Sequence, residues 1–267
     1  MSRRLILIRR AVNDIRMDHC HLIAIWGSPN SGKTTFATKL ATAIYDNYQS
    51  TVVVLYPDLE APVLPTIFPN EKTENLGSIG VPLSKAEVDT DDIVRNAMTL
   101  KNRGNLVFLG YRTGDNRFTY PRYGRAKAED FLEKLCALAD VVIIDCPSNL
   151  DSNVLASTGL EMANQIIRLA SPDLKCISYY LSQMPVYADS KYRLQEHIQG
   201  LNTPNADVFM PIEEAKAHLK DVRFTVPFSH AVKIQSQAGN LLEPTTDKAF
   251  EARMKEIAQK VVYYGED

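Results

Sequence analysis

A glycine-rich segment between an apolar run and a helical pattern constrains the fold of this chain more than any other feature. The segment GSPNSGKTT, residues 27–35, matches the pattern G-x-x-x-x-G-K-[ST]. It follows the apolar run LIAIW (22–26) and precedes FATKLATAIYDNY (36–48), in which apolar residues recur every fourth position. The sequence therefore predicts a strand, a phosphate-binding loop and a helix in that order.

The residues of this loop have the chemistry to hold ATP and Mg²⁺. Gly27 and Gly32 allow tight turns that aim backbone N–H groups at a phosphate. Lys33 would neutralise the β- and γ-phosphate oxygens, and the hydroxyl group of Thr34 would bind Mg²⁺, a cation that prefers oxygen ligands. The predicted nucleotide-binding residues of the loop are Gly27, Ser28, Pro29, Asn30, Ser31, Gly32, Lys33, Thr34 and Thr35.

Two other apolar strands end in carboxylates. Asp145 follows the run VVII in VVIIDCPSN (141–149), and Asp58 follows a strand in VVVLYPDLEAP (52–62). Ligands of open α/β sheets bind at the carboxyl ends of parallel strands. We predict that Asp145 holds Mg²⁺ through water and that Asp58 lies near the metal and orients the attacking water. In the structural alternative, Asp145 caps a helix and Asp58 belongs to a turn.

Strand and helix patterns alternate along the whole chain, which predicts an α/β fold with a doubly wound, mostly parallel sheet flanked by helices. One domain is expected over residues 1–267, with a core from 21 to 264 and an N-terminal extension or charged edge strand at 1–20. The predicted strands are 22–26, 51–56, 105–111, 139–147, 165–170 and 195–201. The predicted helices are 36–48, 90–101, 126–138, 152–163, 174–184, 212–219 and 246–263.

Composition excludes several classes of protein. The chain has 267 residues, 45% of them hydrophobic, and 30 Lys and Arg against 32 Asp and Glu, a net charge of −2. These values indicate a globular protein and exclude disorder and a polybasic nucleic-acid coat. No apolar run approaches the roughly 20 residues that span a bilayer, and MSRRLILIRR lacks a secretory core. We expect a cytoplasmic protein without stable membrane insertion.

The order of these motifs resembles that of the ParA/MinD superfamily, the deviant Walker A ATPases of the SIMIBI class. After the three segments above come SPD (171–173), LN (201–202) and TVPFS (225–229), so the resemblance covers about residues 20–264. Within the superfamily, the chain looks most like the TadZ/CpaE branch, which localises pilus-assembly machinery. The resemblance implies the P-loop NTPase fold.

The superfamily pattern supports the roles given above for Lys33, Asp58 and Asp145 and adds two residues. Asn202, at the end of a late strand, would contact adenine, and Pro227 would lie beside it. The resemblance also implies a homodimer that forms with ATP and positions a cargo. That cargo would be a protein assembly such as a pilus or secretion apparatus, or a segment of DNA.

One position departs from the superfamily pattern. Family members carry a second lysine directly after the first glycine of the loop, where it reaches the partner's phosphates across an ATP-bound dimer. Here that position is Ser28. A neutral hydroxyl group cannot stabilise transition-state charge as a cation does, so we expect slow hydrolysis. A nucleotide-binding scaffold without hydrolysis is an alternative.

A basic and aromatic segment, residues 111–127, is a candidate partner surface. It contains Arg112, Arg117, Arg122 and Arg125 among tyrosines and a phenylalanine. Such a segment can bind an acidic protein or single-stranded nucleic acid, or one arginine could replace the missing lysine. The structural alternative is a solvated loop whose aromatic residues pack on the domain.

Two functions follow from these observations. The first is an ATP-dependent switch that localises a protein cargo, since a net charge of −2 argues against strong DNA binding. The second is a metabolic P-loop kinase or ATP-dependent ligase that acts on a small molecule. Phosphate release that depends on a metabolite would favour the enzyme, whereas release that depends on self-association or a protein partner would favour the switch.

Overall fold

Eight strands form a single sheet in the computed structural model, which describes residues 20–262. The strands are β1 (His21–Gly27), β2 (Val52–Tyr56), β3 (Met98–Leu100), β4 (Arg103–Gly110), β5 (Val141–Asp145), β6 (Gln165–Ala170), β7 (Ile198–Asn202) and β8 (Val222–Val226). Their order in the sheet is β3-β4-β2-β5-β1-β6-β7-β8. All neighbours are parallel except β3 and β4, which are antiparallel.

Helices cover both faces of this sheet. Within the described residues they are α1 (Lys33–Tyr48), α2 (Leu64–Ile67), α3 (Gly80–Ser84), α4 (Thr90–Arg95), α5 (Arg125–Cys136), α6 (Val154–Met162), α7 (Leu174–Gln183), α8 (Ile212–Leu219), α9 (His230–Ala238) and α10 (Lys248–Val262). The prediction of a doubly wound, mostly parallel α/β fold is confirmed.

Alternate residues of β1 enter two separate cores. Ala24 and Trp26 pack in the core beneath α5, α6 and α7, whereas Ile23 and Ile25 pack in the core beneath α1 and α10. Burial on both faces explains why the central strands are continuous apolar runs. The C-terminal helix α10 packs against α1, with its apolar stripe buried: Phe250, Met254, Ile257 and Val261.

Two of the sequence-based element boundaries were wrong. The helix expected over 90–101 ends at Arg95, and Met98–Leu100 forms the antiparallel edge strand β3. The strand expected over 195–201 covers Ile198–Asn202, after a 3₁₀ turn at Leu194–Glu196. Neither β8 nor α9 was predicted as an element. The predicted N-terminal extension or edge strand lies, except for Cys20, outside the described residues.

Candidate nucleotide-binding site

The two glycines of the loop occupy positions where a side chain would collide with its surroundings. Gly27 has a φ of 152°, and a Cβ atom there would lie 2.0 Å from the backbone oxygen of Leu169 on β6. Gly32 has a φ of 79°, and its Cβ would lie 2.5 Å from Nδ2 of Asn202. The loop therefore packs directly against β6 and the end of β7, and only glycine fits at both points.

Lys33 begins α1 and extends back over the loop. Its Nζ donates hydrogen bonds to the backbone oxygens of Gly27 (3.2 Å) and Ser28 (2.9 Å) and to Oγ of Ser148 (2.7 Å). Burial lowers the pKa of Lys33, and the negative charge of Asp145 opposes this shift. The ammonium group thus lies over the concave side of the loop, where the predicted phosphates would bind.

Thr34 and Asp145 form the centre of the site. The hydroxyl group of Thr34 donates a hydrogen bond of 2.6 Å to Oδ2 of Asp145. Asp145 is only 5% exposed, and its Oδ1 has no hydrogen-bond partner within residues 20–262. Burial raises the pKa of Asp145 to about 6, although Thr34 and Lys33 favour the charged form. A hydroxyl oxygen beside an unpaired carboxylate oxygen fits a magnesium ion.

This set of oxygen ligands is small, as magnesium sites at phosphates usually are. No group of three or more His, Cys, Asp or Glu residues lies close enough to hold a metal ion in the described part of the chain. Magnesium keeps several waters and is held by one or two protein groups together with phosphate oxygens. The pair of Thr34 and Asp145 therefore matches a metal that arrives with a nucleotide.

Asp58 lies near this centre, at the end of β2. Its Oδ1 accepts hydrogen bonds from the backbone N–H groups of Glu60 (2.9 Å) and Ala61 (3.0 Å), so it also forms the turn that the structural alternative predicted. Asp58 is close enough to Lys33 and Asp145 to influence the pKa of each. The structure thus brings together the three predicted catalytic residues.

Ser28, at the position of the missing lysine, faces the interior. Its side chain is fully buried, and its hydroxyl group has no hydrogen-bond partner among the described residues. The backbone oxygen of Ser28 accepts a hydrogen bond of 2.8 Å from the hydroxyl group of Ser31. The side chain of Ser28 is therefore packed inside the loop and does not extend towards a second subunit.

A cavity of about 390 Å³, which we call the loop cavity, opens beside the loop. Asn202 and Pro227, the two residues predicted at adenine, both line it, and Nδ2 of Asn202 donates a 2.7 Å hydrogen bond to the backbone oxygen of Ser31. Its other lining residues are Asn30, Gly32, Thr35, Phe36, Thr203, Pro204, Asn205, Val226, Phe228, Ser229, Val232, Lys233, Ser236 and Phe250. Its volume falls within the range of small-ligand sites.

Two tyrosines of α7 support the loop from the other face of the sheet, and no sequence motif marks them. The hydroxyl group of Tyr179 donates to the backbone oxygen of Ser148 (2.6 Å), the residue whose side chain contacts Lys33. The hydroxyl group of Tyr180 donates to the backbone oxygen of Leu169 (2.8 Å), which lies against Gly27. Helix α7 therefore contacts two backbone segments, at Ser148 and at Leu169, that lie against Lys33 and Gly27 of the loop.

The basic segment 111–127 is anchored to the domain by a buried carboxylate. Asp115 is 7% exposed and accepts hydrogen bonds from the hydroxyl groups of Ser78 (2.6 Å) and Tyr120 (3.2 Å). Tyr111 is also buried. The aromatic residues therefore do pack in part on the domain, as the structural alternative expected.

The four arginines of this segment differ in their contacts. Arg112 lies 3.6 Å from Asp115, and Arg125 forms ion pairs with Glu129 and Glu161. Arg117 and Arg122 are exposed and form no ion pair with any residue in the range 20–262. Arg117 stacks on Phe118, with 4.7 Å between the guanidinium carbon and the ring centre. Arg117 and Arg122 are thus the arginines available to a partner.

The sheet order, the glycine-rich loop after β1 and the carboxylate at the end of β5 define a protein with the P-loop NTPase fold. No protein-family model matches the sequence, and no curated protein matches it either. No helix within residues 20–262 has the length and apolar character needed to cross a bilayer.

Comparison with solved structures shows which proteins share this fold. The cell-division ATPase MinD of Pyrococcus furiosus has a TM-score of 0.70 at 17% identity, over 91% of this chain and 99% of that one. The Mg-ADP complex of MinD from Pyrococcus horikoshii OT3 has a TM-score of 0.70 at 16% identity, over 91% and 96%. A ParA-family ATPase of Chlorobium tepidum has a TM-score of 0.73 at 10% identity, over 90% and 98%. This chain has the fold of the MinD and ParA-family ATPases.

Proposed function

We propose that this chain is an ATP-dependent molecular switch of the ParA/MinD type, which dimerises with Mg-ATP and positions a cellular cargo. The observation that carries the proposal is the pair of Thr34 and Asp145, a hydroxyl group and a buried carboxylate 2.6 Å apart at the end of the phosphate loop. Oδ1 of Asp145 is buried and has no hydrogen-bond partner among the described residues, and a cation would satisfy it.

The proposed ligands are ATP and Mg²⁺. The backbone of the loop and Lys33 would hold the phosphates, and Asn202 and Pro227 would contact the base in the loop cavity. The fold is shared with a MinD protein described as complexed with Mg-ADP. When bound, Mg²⁺ would neutralise phosphate charge, while the half-buried Asp58 would orient water for hydrolysis.

Hydrolysis is proposed to be slow. The buried Ser28 offers no cation to the transition state, and removal of such a cation costs orders of magnitude in rate. The cation would come instead from Arg117 or Arg122 of a second subunit, since both are exposed and without ion pairs in the described structure. Without such a contribution, the protein would act as a scaffold that binds ATP and does not turn it over.

The proposed cargo is a protein assembly in the cytoplasm, in the manner of the TadZ/CpaE branch. The net charge of −2 is unfavourable for binding DNA, because non-specific affinity comes mainly from neutralised phosphates. The apolar stripe of α10 is buried against α1, so that stripe is not available to a membrane surface. A protein partner therefore suits the surface better than nucleic acid or lipid.

The test is the solution mass of the purified protein by light scattering with Mg-ATP, with Mg-ADP and without nucleotide. We expect a monomer that becomes a dimer only with Mg-ATP. Lys33→Ala removes two hydrogen bonds to the loop and one to Ser148, and it should stay monomeric. Lys248→Ala, which alters an exposed lysine on α10, is the matched control and should dimerise like the original protein.

A mass that does not respond to nucleotide would contradict the ATP-gated dimer. The loop cavity would then be tested as the substrate site of a metabolic kinase or ligase, which is the second function predicted from the sequence. Phosphate release that rises with a small metabolite, and not with protein concentration, would support that enzyme. Phosphate release that rises steeply with protein concentration would support the switch.

A further inference from the structure

Two cysteines on different elements lie side by side at the amino ends of the parallel strands. Cys20 directly precedes β1, and Cys136 is the last residue of α5. Both are partly exposed, and both pack against the core beneath α5, α6 and α7. The thiol group of Cys20 donates a hydrogen bond to the sulfur of Cys136. The fold thus brings together two thiols that no short motif connects in the sequence.

The pairing of β1 with β5 fixes the backbone of both cysteines. His21 pairs with Val141, and its N–H group donates a 2.8 Å hydrogen bond to the backbone oxygen of Asp140. Only three residues separate Asp140 from the end of α5. Because side chains alternate along a strand, Cys20 points to the same face as Leu22, which is the face that α5 covers. The contact between the two thiols therefore follows from the register of the sheet.

The other two cysteines of the sequence are buried. Cys146 and Cys176 are each 1% exposed. The sulfur of Cys146 lies 3.9 Å from the backbone oxygens of Ile144 and Ala156, and the sulfur of Cys176 accepts a hydrogen bond from a backbone N–H group. Buried cysteines are chemically inert, whereas reactive ones are partly accessible. Cys20 and Cys136 are therefore the two thiols that a dissolved oxidant can reach.

We propose that Cys20 and Cys136 are a redox-active pair, which closes to an intramolecular disulfide by exchange with a low-molecular-weight disulfide such as oxidised glutathione. A thiolate of the pair attacks one sulfur of the small disulfide, and one glutathione leaves as its thiolate. The second cysteine loses its proton and attacks the mixed disulfide, which releases the second glutathione. The pair gives up two electrons and two protons, and these reduce one oxidised glutathione to two thiols.

Cys136 is the residue that attacks first. The hydrogen bond from Cys20 lowers the pKa of Cys136, although burial and the negative charge of Glu133 oppose this shift. The same hydrogen bond, burial and the charge of Asp140 raise the pKa of Cys20. The thiolate is the nucleophile in exchange reactions. Cys136 therefore forms the mixed disulfide, and Cys20 resolves it.

The disulfide joins the start of β1 to the end of α5 and leaves the nucleotide site open. β1 has seven residues, so its two ends are about 20 Å apart, and the phosphate loop follows the other end. The bond closes more than a hundred residues into one loop. A cross-link over so long a segment restricts the unfolded chain. Oxidation therefore stabilises the fold, and this effect does not depend on the proposed function.

The test treats the folded full chain with oxidised glutathione, alkylates the remaining thiols in denaturant and maps the cysteines by tandem mass spectrometry. We expect one disulfide, between Cys20 and Cys136, while Cys146 and Cys176 remain thiols. The oxidised chain should melt at least about 5 °C above the reduced chain, and dithiothreitol should reverse this shift. Cys20→Ser and Cys136→Ser should each lose the shift. Cys146→Ala, which removes a buried thiol, is the matched control and should keep it.

The order of attack has its own measurement. Cys20→Ser should accumulate a glutathione adduct on Cys136, whereas Cys136→Ser should form little adduct on Cys20. Four results would overturn the proposal: free thiols at both positions, a disulfide to Cys146 or Cys176, glutathione adducts that never close to a disulfide, or an unchanged melting temperature after oxidation. None of these measurements includes nucleotide, so such a failure would leave the ATP-dependent switch unaffected.

Discussion

Thr34 and Asp145 are 111 residues apart in sequence and form a hydrogen bond of 2.6 Å at the centre of the site. The bond joins the first turn of α1 to the end of β5, so the phosphate loop and the strand-end carboxylate act as one unit. The interaction favours the charged form of Asp145, yet burial has the larger effect and raises its pKa to about 6. Without a cation, the negative charge of the buried Asp145 carboxylate is therefore unfavourable.

Asp145→Asn should stabilise the protein without ligand. A carboxyl group with a pKa of about 6 in the folded state and 3.8 as its ordinary value binds protons more readily when folded. Its ionisation therefore destabilises the fold above pH 6, and this penalty disappears as pH falls towards 4. We expect the free energy of unfolding at pH 7.5 to rise by about 1–3 kcal/mol, measured by urea denaturation.

In Asp145→Asn, Mg²⁺ should no longer increase the affinity for nucleotide, because an uncharged amide replaces the carboxylate. Asp207→Asn, an exposed substitution, is the control and should change neither stability nor magnesium dependence. A destabilised Asp145→Asn protein at pH 7.5 would show that the carboxylate is stabilised in the apo protein by contacts that outweigh its burial.

His197 should make the protein less stable in mild acid. It accepts a hydrogen bond of 3.1 Å at Nδ1 from Nε1 of Trp26, and its Nε2 lies 2.7 Å from the backbone oxygen of Tyr192. Burial lowers its pKa to about 4. The unfolded chain takes up a proton near pH 6.5 and the folded chain does not, so stability falls from about pH 6.5 to 4, by about 3 kcal/mol in total.

His197→Gln removes this titration and should flatten the decline relative to the original protein. Emission of Trp26, the one tryptophan of the sequence, reports unfolding by urea at each pH. His218→Gln, on the exposed face of α8, is the matched control. Between pH 6 and 4, titration of Asp145 raises the stability as pH falls, which opposes the effect of His197. The test is therefore the difference in slope between His197→Gln and the original protein. Equal slopes for His197→Gln and the original protein would refute the assignment.

Gly27→Ala should be strongly destabilising. The added Cβ would lie 2.0 Å from the backbone oxygen of Leu169 and 2.8 Å from the hydroxyl group of Tyr180, so β1 and β6 would have to separate. We expect a loss of at least about 3 kcal/mol in the free energy of unfolding and loss of nucleotide binding. Gly124→Ala, where a Cβ meets no atom within 4 Å, is the control in thermal denaturation. Similar melting temperatures for the two variants would contradict the close contact.

The core of the site could be predicted from the sequence because each part lies in a local pattern. The loop at 27–35, Asp58 and Asp145 all follow apolar strands, and parallel strands bring their carboxyl ends to one edge of a sheet. The predicted role of Asn202 depended on the resemblance to a superfamily, because the dipeptide LN is too short to be informative by itself. Its contact with Ser31 then gives a physical reason for its place beside the loop.

Other features depend on contacts that have no local signature. The helix predicted over 90–101 stops at Arg95 because β4 pairs with Met98–Leu100, and strand pairing at an edge overrides helical periodicity. The hydroxyl groups of Tyr179 and Tyr180 contact residues distant in sequence.

Asn202→Ala should weaken nucleotide binding. Its Nδ2 donates a 2.7 Å hydrogen bond to the backbone oxygen of Ser31 and lies against Gly32, so it fixes the loop at the edge of the loop cavity. Loss of one buried hydrogen bond predicts a rise in the dissociation constant for Mg-ATP of about threefold to tenfold. Asn70→Ala, an exposed residue outside the cavity, is the matched control in calorimetry. An equal effect of both substitutions would argue against the loop contact.

Arg117→Ala or Arg122→Ala should reduce ATP hydrolysis, and Arg125→Ala should not, because Arg125 is already paired with Glu129 and Glu161 of its own chain. A cation supplied across the dimer predicts complementation. When the inactive arginine variant is mixed with Asp58→Asn, which keeps Lys33 and so still dimerises, each mixed dimer contains one site with Asp58 and a partner's arginine, so about a quarter of the original rate should return. Steady-state phosphate release measures this rate. No recovery on mixing would mean that the arginine acts within its own subunit, and unchanged rates for Arg117→Ala and Arg122→Ala would remove this segment from hydrolysis.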